Sequence, residues 1–95
     1  MKGAQRFAVR AGHVSRKVGE EVFVLTADSR MHWMKNETAS ALWEGLVEAG
    51  EAGISMHALV SRLTETFEVG RDEADEAVAA FVADLERAGL IVALD

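Results

Sequence analysis

The sequence predicts an α+β fold in which a three-stranded antiparallel meander precedes three helices. Three observations carry this. Two stretches, Val14–Val18 and Val22–Leu25, have the alternating or continuous apolar pattern of strands and are split by Gly19-Glu20-Glu21. A third extended stretch, Met31–Lys35, follows the turn at Asp28-Ser29 and runs almost without a loop into Asn36. From Asn36 onward the apolar period becomes helical and stays so in three segments.

Each element has a local reason. Val14, Arg16 and Val18 share one face of a half-exposed strand, and the β-branched run Val22-Phe23-Val24-Leu25 suits a central one. Short turns place the middle strand between the other two, so the first and third are edges. Asn36 is a good N-cap, and Ala39, Leu42, Trp43, Leu46 and Val47 form the first helical stripe, which stops near Gly50. A loop over 51–54 leads to Ser55, the cap of a second helix with Met56, Leu59, Val60, Leu63 and Phe67 on one face. Arg71 or Asp72 opens the third helix, with the stripe Ala74, Val78, Phe81 and Leu85, Val82 on its flank, and Gly89 as its stop. The run Leu90–Leu94 reads as a short strand or an extended tail. Residues 1–12 read as an N-terminal arm, or as an arm with a strand end around Phe7-Ala8-Val9. Residues 13–95 then form one domain. Two helices joined by a short turn, with the meander as an appendage, make the architecture (β-β-β-α-α-α) winged-helix-like.

The chain has 95 residues, enough for one compact domain, and 49% hydrophobic residues supply its core. It has no cysteine, which removes disulfides and thiolate metal sites. No apolar run has the length of a membrane span, and the first ten residues lack a signal-peptide core. The expected location is the cytoplasm, with no membrane partner. Sixteen acidic against ten basic residues give a net charge of −6. Basic residues favour the first half and acidic ones the last third, a layout that disfavours phosphate polymers.

Catalytic and metal motifs are absent from the sequence. His13, His32 and His57 form no pair at helical spacing, so no metal site is expected. Asp72, Glu73, Asp75 and Glu76 cluster at a helix start, where carboxylates complement the positive helix end, and are not read as an acid/base pair. The same carboxylates stand where a recognition helix would enter a DNA groove, which argues against nucleic acid. Trp43 lies inside a helical stripe and belongs to the core. For Trp33, strand alternation puts Met31 and Lys35 on its face and His32 and Met34 on the other. The inward orientation of Trp33 is the expectation. An outward Trp33 would instead be an anchor for a bound peptide.

The residues also resemble a family. Val22–Leu25 after a tight turn, Asn36-Glu37-Thr38-Ala39 opening a helix that carries Trp43, the capped second helix, and Leu85-Glu86-Arg87-Ala88-Gly89-Leu90-Ile91 at the end are similar to the PqqD family, small peptide chaperones that act as recognition elements for ribosomally made, modified peptides. The resemblance covers about 13–92. It implies a non-catalytic module without a cofactor that binds the leader segment of a precursor peptide. The leader would add as a strand to the third strand (Arg30, Met31, His32, Trp33, Met34) and lie against the third helix around Asp75, Val78 and Val82. The module would present the precursor to a modifying enzyme, often of the radical SAM type. Lys35 departs from the family, whose members usually carry leucine before the asparagine. Two other readings use the same elements: a winged-helix nucleic-acid binder, and an adaptor whose exposed strand pairs with a second copy to give a homodimer.

Overall fold

A computed structural model describes residues 5–94. In chain order these form β1 (Arg6–Val9), β2 (Val14–Val18), β3 (Glu21–Leu25), β4 (Met31–Met34), α1 (Glu37–Ala49), a short 3-10 turn at Gly50–Ala52, β5 (Ile54–Ser55), α2 (Met56–Thr66), α3 (Arg71–Ala88) and β6 (Ile91–Leu94). The α+β class and the order of meander then three helices are as the sequence predicts. The meander is an antiparallel sheet ordered β2-β3-β4. A second antiparallel sheet, ordered β5-β1-β6, joins the two ends of the chain.

The turns and caps explain the element boundaries. Gly19 takes φ 65° between β2 and β3, a conformation that costs little without a Cβ. The β3–β4 turn is tied by side chains: Thr26 N–H donates to the Arg30 carbonyl at 2.8 Å, and Arg30 N–H donates to the Thr26 hydroxyl at 2.9 Å. That hydroxyl in turn donates to the Asp28 carboxylate and holds it below its ordinary 3.8, with Arg30 acting in the same sense. Asn36 accepts from Ala39 N–H at 2.7 Å and Ser55 from Ala58 N–H at 3.0 Å, so both predicted caps are made. Gly89 closes α3 in the left-handed region at φ 80°, and Leu90 N–H returns to the Leu85 carbonyl at 2.9 Å.

One core lies between the helices and the two sheets. It contains Phe7, Val22, Val24, Met34, Leu42, Trp43, Leu46, Leu59, Leu63, Val78, Val82, Leu85 and Ile91. Each fully buried leucine contributes about 2 kcal/mol from the area removed from water.

Four expectations need correction or completion. Trp33 points outward, because its β3 partner Phe23 lies on the outer face, while Met34 pairs with buried Val22 and goes inward. The α3 core stripe runs through Ala74, Val78, Val82 and Leu85, and Phe81 sits half-buried on its flank. The loop expected over 51–54 holds the 3-10 turn and begins β5. Of the N-terminal segment, residues 1–4 lie outside the described residues. Arg6–Val9 takes the strand alternative, since Phe7 and Ala8 are buried and all four residues pair with Ile91–Leu94.

At the start of α1, Glu37 stands beside Glu20 of the β2–β3 turn. A hydrogen bond and the like charge of Glu37 raise the Glu20 carboxyl above its ordinary 4.5. Folding therefore favours the protonated group: its contribution is full below 4.5 and is lost as pH rises through the folded value. Glu20→Gln is expected to raise stability slightly at pH 7 and to flatten the pH dependence of thermal unfolding above pH 4.5. Melting curves from pH 4 to pH 7 check this.

Candidate functional site

The free edge of β4 is the site the sequence singles out. Within its sheet β4 is bonded only to β3, so its other side is unpaired among the described residues. The Thr26–Arg30 bond fixes which backbone groups are free. It makes those residues a hydrogen-bonded pair, and alternation along an antiparallel ladder makes His32–Val24 and Met34–Val22 the next such pairs. The N–H and C=O groups of Met31 and Trp33 then point away from β3, toward the open side.

Two recesses on the helical side lie off the two ends of this edge, and the stretch between them is called the slot. One recess of about 270 Å³ is lined by Asn36, Thr38, Ala39, Leu42, Ala77 and Phe81. Another of about 290 Å³ is lined by Thr26, Ala27, Asp28, His13, Ala88 and Gly89, among others. β4 connects Asp28 to Asn36, and α3 connects Ala77 to Ala88, so strand and helix run antiparallel between the same two recesses. Eleven helical steps from Ala77 to Ala88 cover about 16 Å, and five extended steps from Arg30 to Lys35 cover about 17 Å. The close packing partners of α3 are α2 and β6. Ala77, Phe81 and Ala88 are partly buried apolar residues on the core's margin and form the helical wall.

Both faces of β4 are prepared. Inward, Met34 seals the core and half-buried His32 has its Nε2 shielded from solvent with no hydrogen-bond partner among the described residues. Outward, Trp33 stacks on Phe23 with ring centroids 5.4 Å apart. Its Nε1–H donates to Glu21 at 2.6 Å, and the Lys35 ammonium lies 4.2 Å from its ring centroid. Lys35 therefore stays in water and braces Trp33. Arg30 is exposed and paired with Asp28 at 3.3 Å.

The helix positions named from sequence do not share this slot. Val78 is fully buried and Val82 is buried in the core. Asp75 and Val82 line a different cavity, of about 540 Å³, between α2, α3 and β1, with Met56, Val60 and Arg71 among its other walls. There Arg71 Nη2 donates to His57 Nδ1 at 3.0 Å. Ala77, Phe81 and Ala88, which line the recesses beside β4, were not among the positions named from sequence. The signal was the width of the α3 apolar arc, which exceeds what the core covers.

Among the described residues no group of three or more His, Asp or Glu side chains is placed to hold a metal. Nor is any helix there long and apolar enough to cross a membrane.

Fold and site define a winged-helix-like domain in which the open edge of β4 lies on the side of α3. The description of coenzyme PQQ synthesis protein D (PqqD) matches residues 21–91, and the chain belongs to that family. Two solved structures share the fold. TbiB1 in complex with the TbiA(beta) leader peptide is 18% identical, with 88% of this chain and 93% of that chain covered at a TM-score of 0.78. A lasso peptide synthetase B1 complexed with the leader peptide is 23% identical, with 92% and 98% covered at a TM-score of 0.74. No curated protein matches the chain.

Proposed function

We propose that this chain is a non-catalytic cytoplasmic module that binds the leader segment of a ribosomally made precursor peptide and presents it to a modifying enzyme, of the radical SAM type. The observation that carries the reading is the unpaired β4 edge facing a slot of matching length on α3. Family membership and the leader peptides held by both structural neighbours support it.

The leader adds to β4 as a further antiparallel or parallel strand through the free backbone groups of Met31 and Trp33. Such pairing depends little on sequence, and selectivity comes from the alternate side chains that enter the slot. About five leader residues fit along the edge. Their inward side chains meet Phe81, Ala77 and Ala88, and a polar one can satisfy His32 Nε2. Ordering a flexible peptide opposes binding, so affinity in the micromolar range is expected. The site then consists of Arg30, Met31, His32, Trp33 and Met34 with Ala77, Phe81 and Ala88, in place of Asp75, Val78 and Val82.

The test is a pair of variants read by calorimetric titration with synthetic leader peptides. Phe81→Ala removes an apolar wall of the slot and is expected to weaken binding roughly tenfold. Asp75→Ala alters the far face of α3 and is expected to leave binding unchanged. A loss with Asp75→Ala and none with Phe81→Ala would place the leader in the α2–α3 cavity and refute the slot.

A further inference from the structure

Six large apolar side chains are exposed among the described residues, and five of them lie on one surface. Val14 (66% exposed), Val18 (56%), Leu25 (45%), Met31 (64%) and Trp33 (51%) all sit on the outer face of the β2-β3-β4 sheet. The sixth, Val47, is on α1. A contiguous apolar sheet face of this kind marks an interaction surface. The strand register arranges it in cross-strand rows: Val14–Leu25–Met31, then Arg16–Phe23–Trp33, then Val18 and Glu21 with Lys35 following β4.

We propose that this face is a self-association surface, covered in solution by a second copy of the chain packed sheet to sheet about a two-fold axis along β3. The rows are self-complementary under that axis. Val14 faces the partner's Met31, Leu25 faces its own counterpart, and Arg16 lies opposite the partner's Trp33. Lys35 lies diagonal to the partner's Glu21. The acidic excess of the chain gathers on the solvent side of α3, at Asp72, Glu73, Asp75 and Glu76, behind the core from this sheet face. The sheet face itself carries Arg16 and Lys35 against Glu21, so association does not bring the two acidic surfaces together.

Size sets the strength. Three strands about 4.8 Å apart and about 16 Å long present a small face. With a footprint of about 14 by 16 Å each, two such faces bury less than about 1,000 Å² in all, below the range of standard specific interfaces. The dimer is therefore weak, forming at high-micromolar concentration. It leaves the β4 edge uncovered, so it goes beyond the proposed leader binding and does not depend on it.

Leu25 on the axis gives the decisive experiment. Sedimentation equilibrium of the full chain from about 10 μM to about 1 mM should show the mass rising from one chain toward two. Leu25→Glu and Leu25→Lys each set like charges against each other at the axis, and each alone should weaken association at least about tenfold. An equimolar mixture of the two should restore it, because the axis then pairs opposite charges. Leu25 is half-exposed, and circular dichroism verifies that both variants fold. A wild-type chain that stays monomeric to about 1 mM, a Leu25→Glu chain that dimerises like wild type, or a mixture that stays monomeric overturns the proposal.

Discussion

Replacing Met31 by proline is expected to weaken leader-peptide binding about ten- to hundredfold and to leave the fold intact. The Met31 N–H points to the open edge and takes no part in the β3–β4 ladder, so its loss leaves that ladder whole. The side chain is exposed, so no packing is removed. An approaching peptide, however, loses a hydrogen-bond donor and meets the proline ring where its own backbone must come closest. A lost hydrogen bond with a stranded acceptor is worth about 1–3 kcal/mol, which sets the range of the effect. His32→Pro is the contrasting variant. Its N–H belongs to a bonded pair with Val24, so that variant should lower the melting temperature. Titration calorimetry and thermal unfolding of the two variants separate edge from ladder.

The largest expected loss of stability comes from Gly53→Ala. Gly53 takes φ 79°, which disfavours any side chain. A Cβ there would lie 2.5 Å from Leu94 Cδ1 and 3.0 Å from the Phe7 carbonyl oxygen. The leucine methyl can move, but the carbonyl belongs to β1, held between β5 and β6. With ψ at 170°, this backbone lies in a region that is essentially glycine's own, and strain of about 1–3 kcal/mol there adds to the cost of forcing the strands apart, for a total of about 2–4 kcal/mol. Chemical denaturation measures it. Gly50 is the internal comparison: its φ is 61° and nothing lies within 4 Å of an added Cβ. Gly50→Ala should therefore lose only the backbone part.

How much of this was legible in the sequence depended on the range of the interactions involved. The meander, both polar helix caps and the Gly89 stop were readable because each rests on a few consecutive residues. The β5-β1-β6 sheet was only partly readable, because Arg6–Val9 pairs with residues more than eighty positions away and β5 has two residues. The facing of β4 was misread although a signal was present. Lys35 shares a face with Trp33 and Glu21 shares one with Phe23. Two charges mark that face as the wet one, and Val22 and Val24 mark the other as dry. On α3 the apolar stripe Ala74, Val78, Phe81 and Leu85 with Val82 on its flank was recognised, but periodicity does not tell which flank the core leaves open. That is fixed by where β4 stands, a tertiary fact. Phe81 therefore read as core and Val82 as flank, the reverse of their burial.

Amide hydrogen exchange of the isotope-labelled chain, free and saturated with synthetic leader peptide, tests strand addition most directly. In the free chain His32 and Met34 amides should be protected by β3, and Met31 and Trp33 amides should exchange fast. Saturation should protect Met31 and Trp33 while leaving Asp75 and Arg71 unchanged. New protection confined to the α2–α3 face, with Met31 and Trp33 still exchanging fast under saturation, would contradict the account.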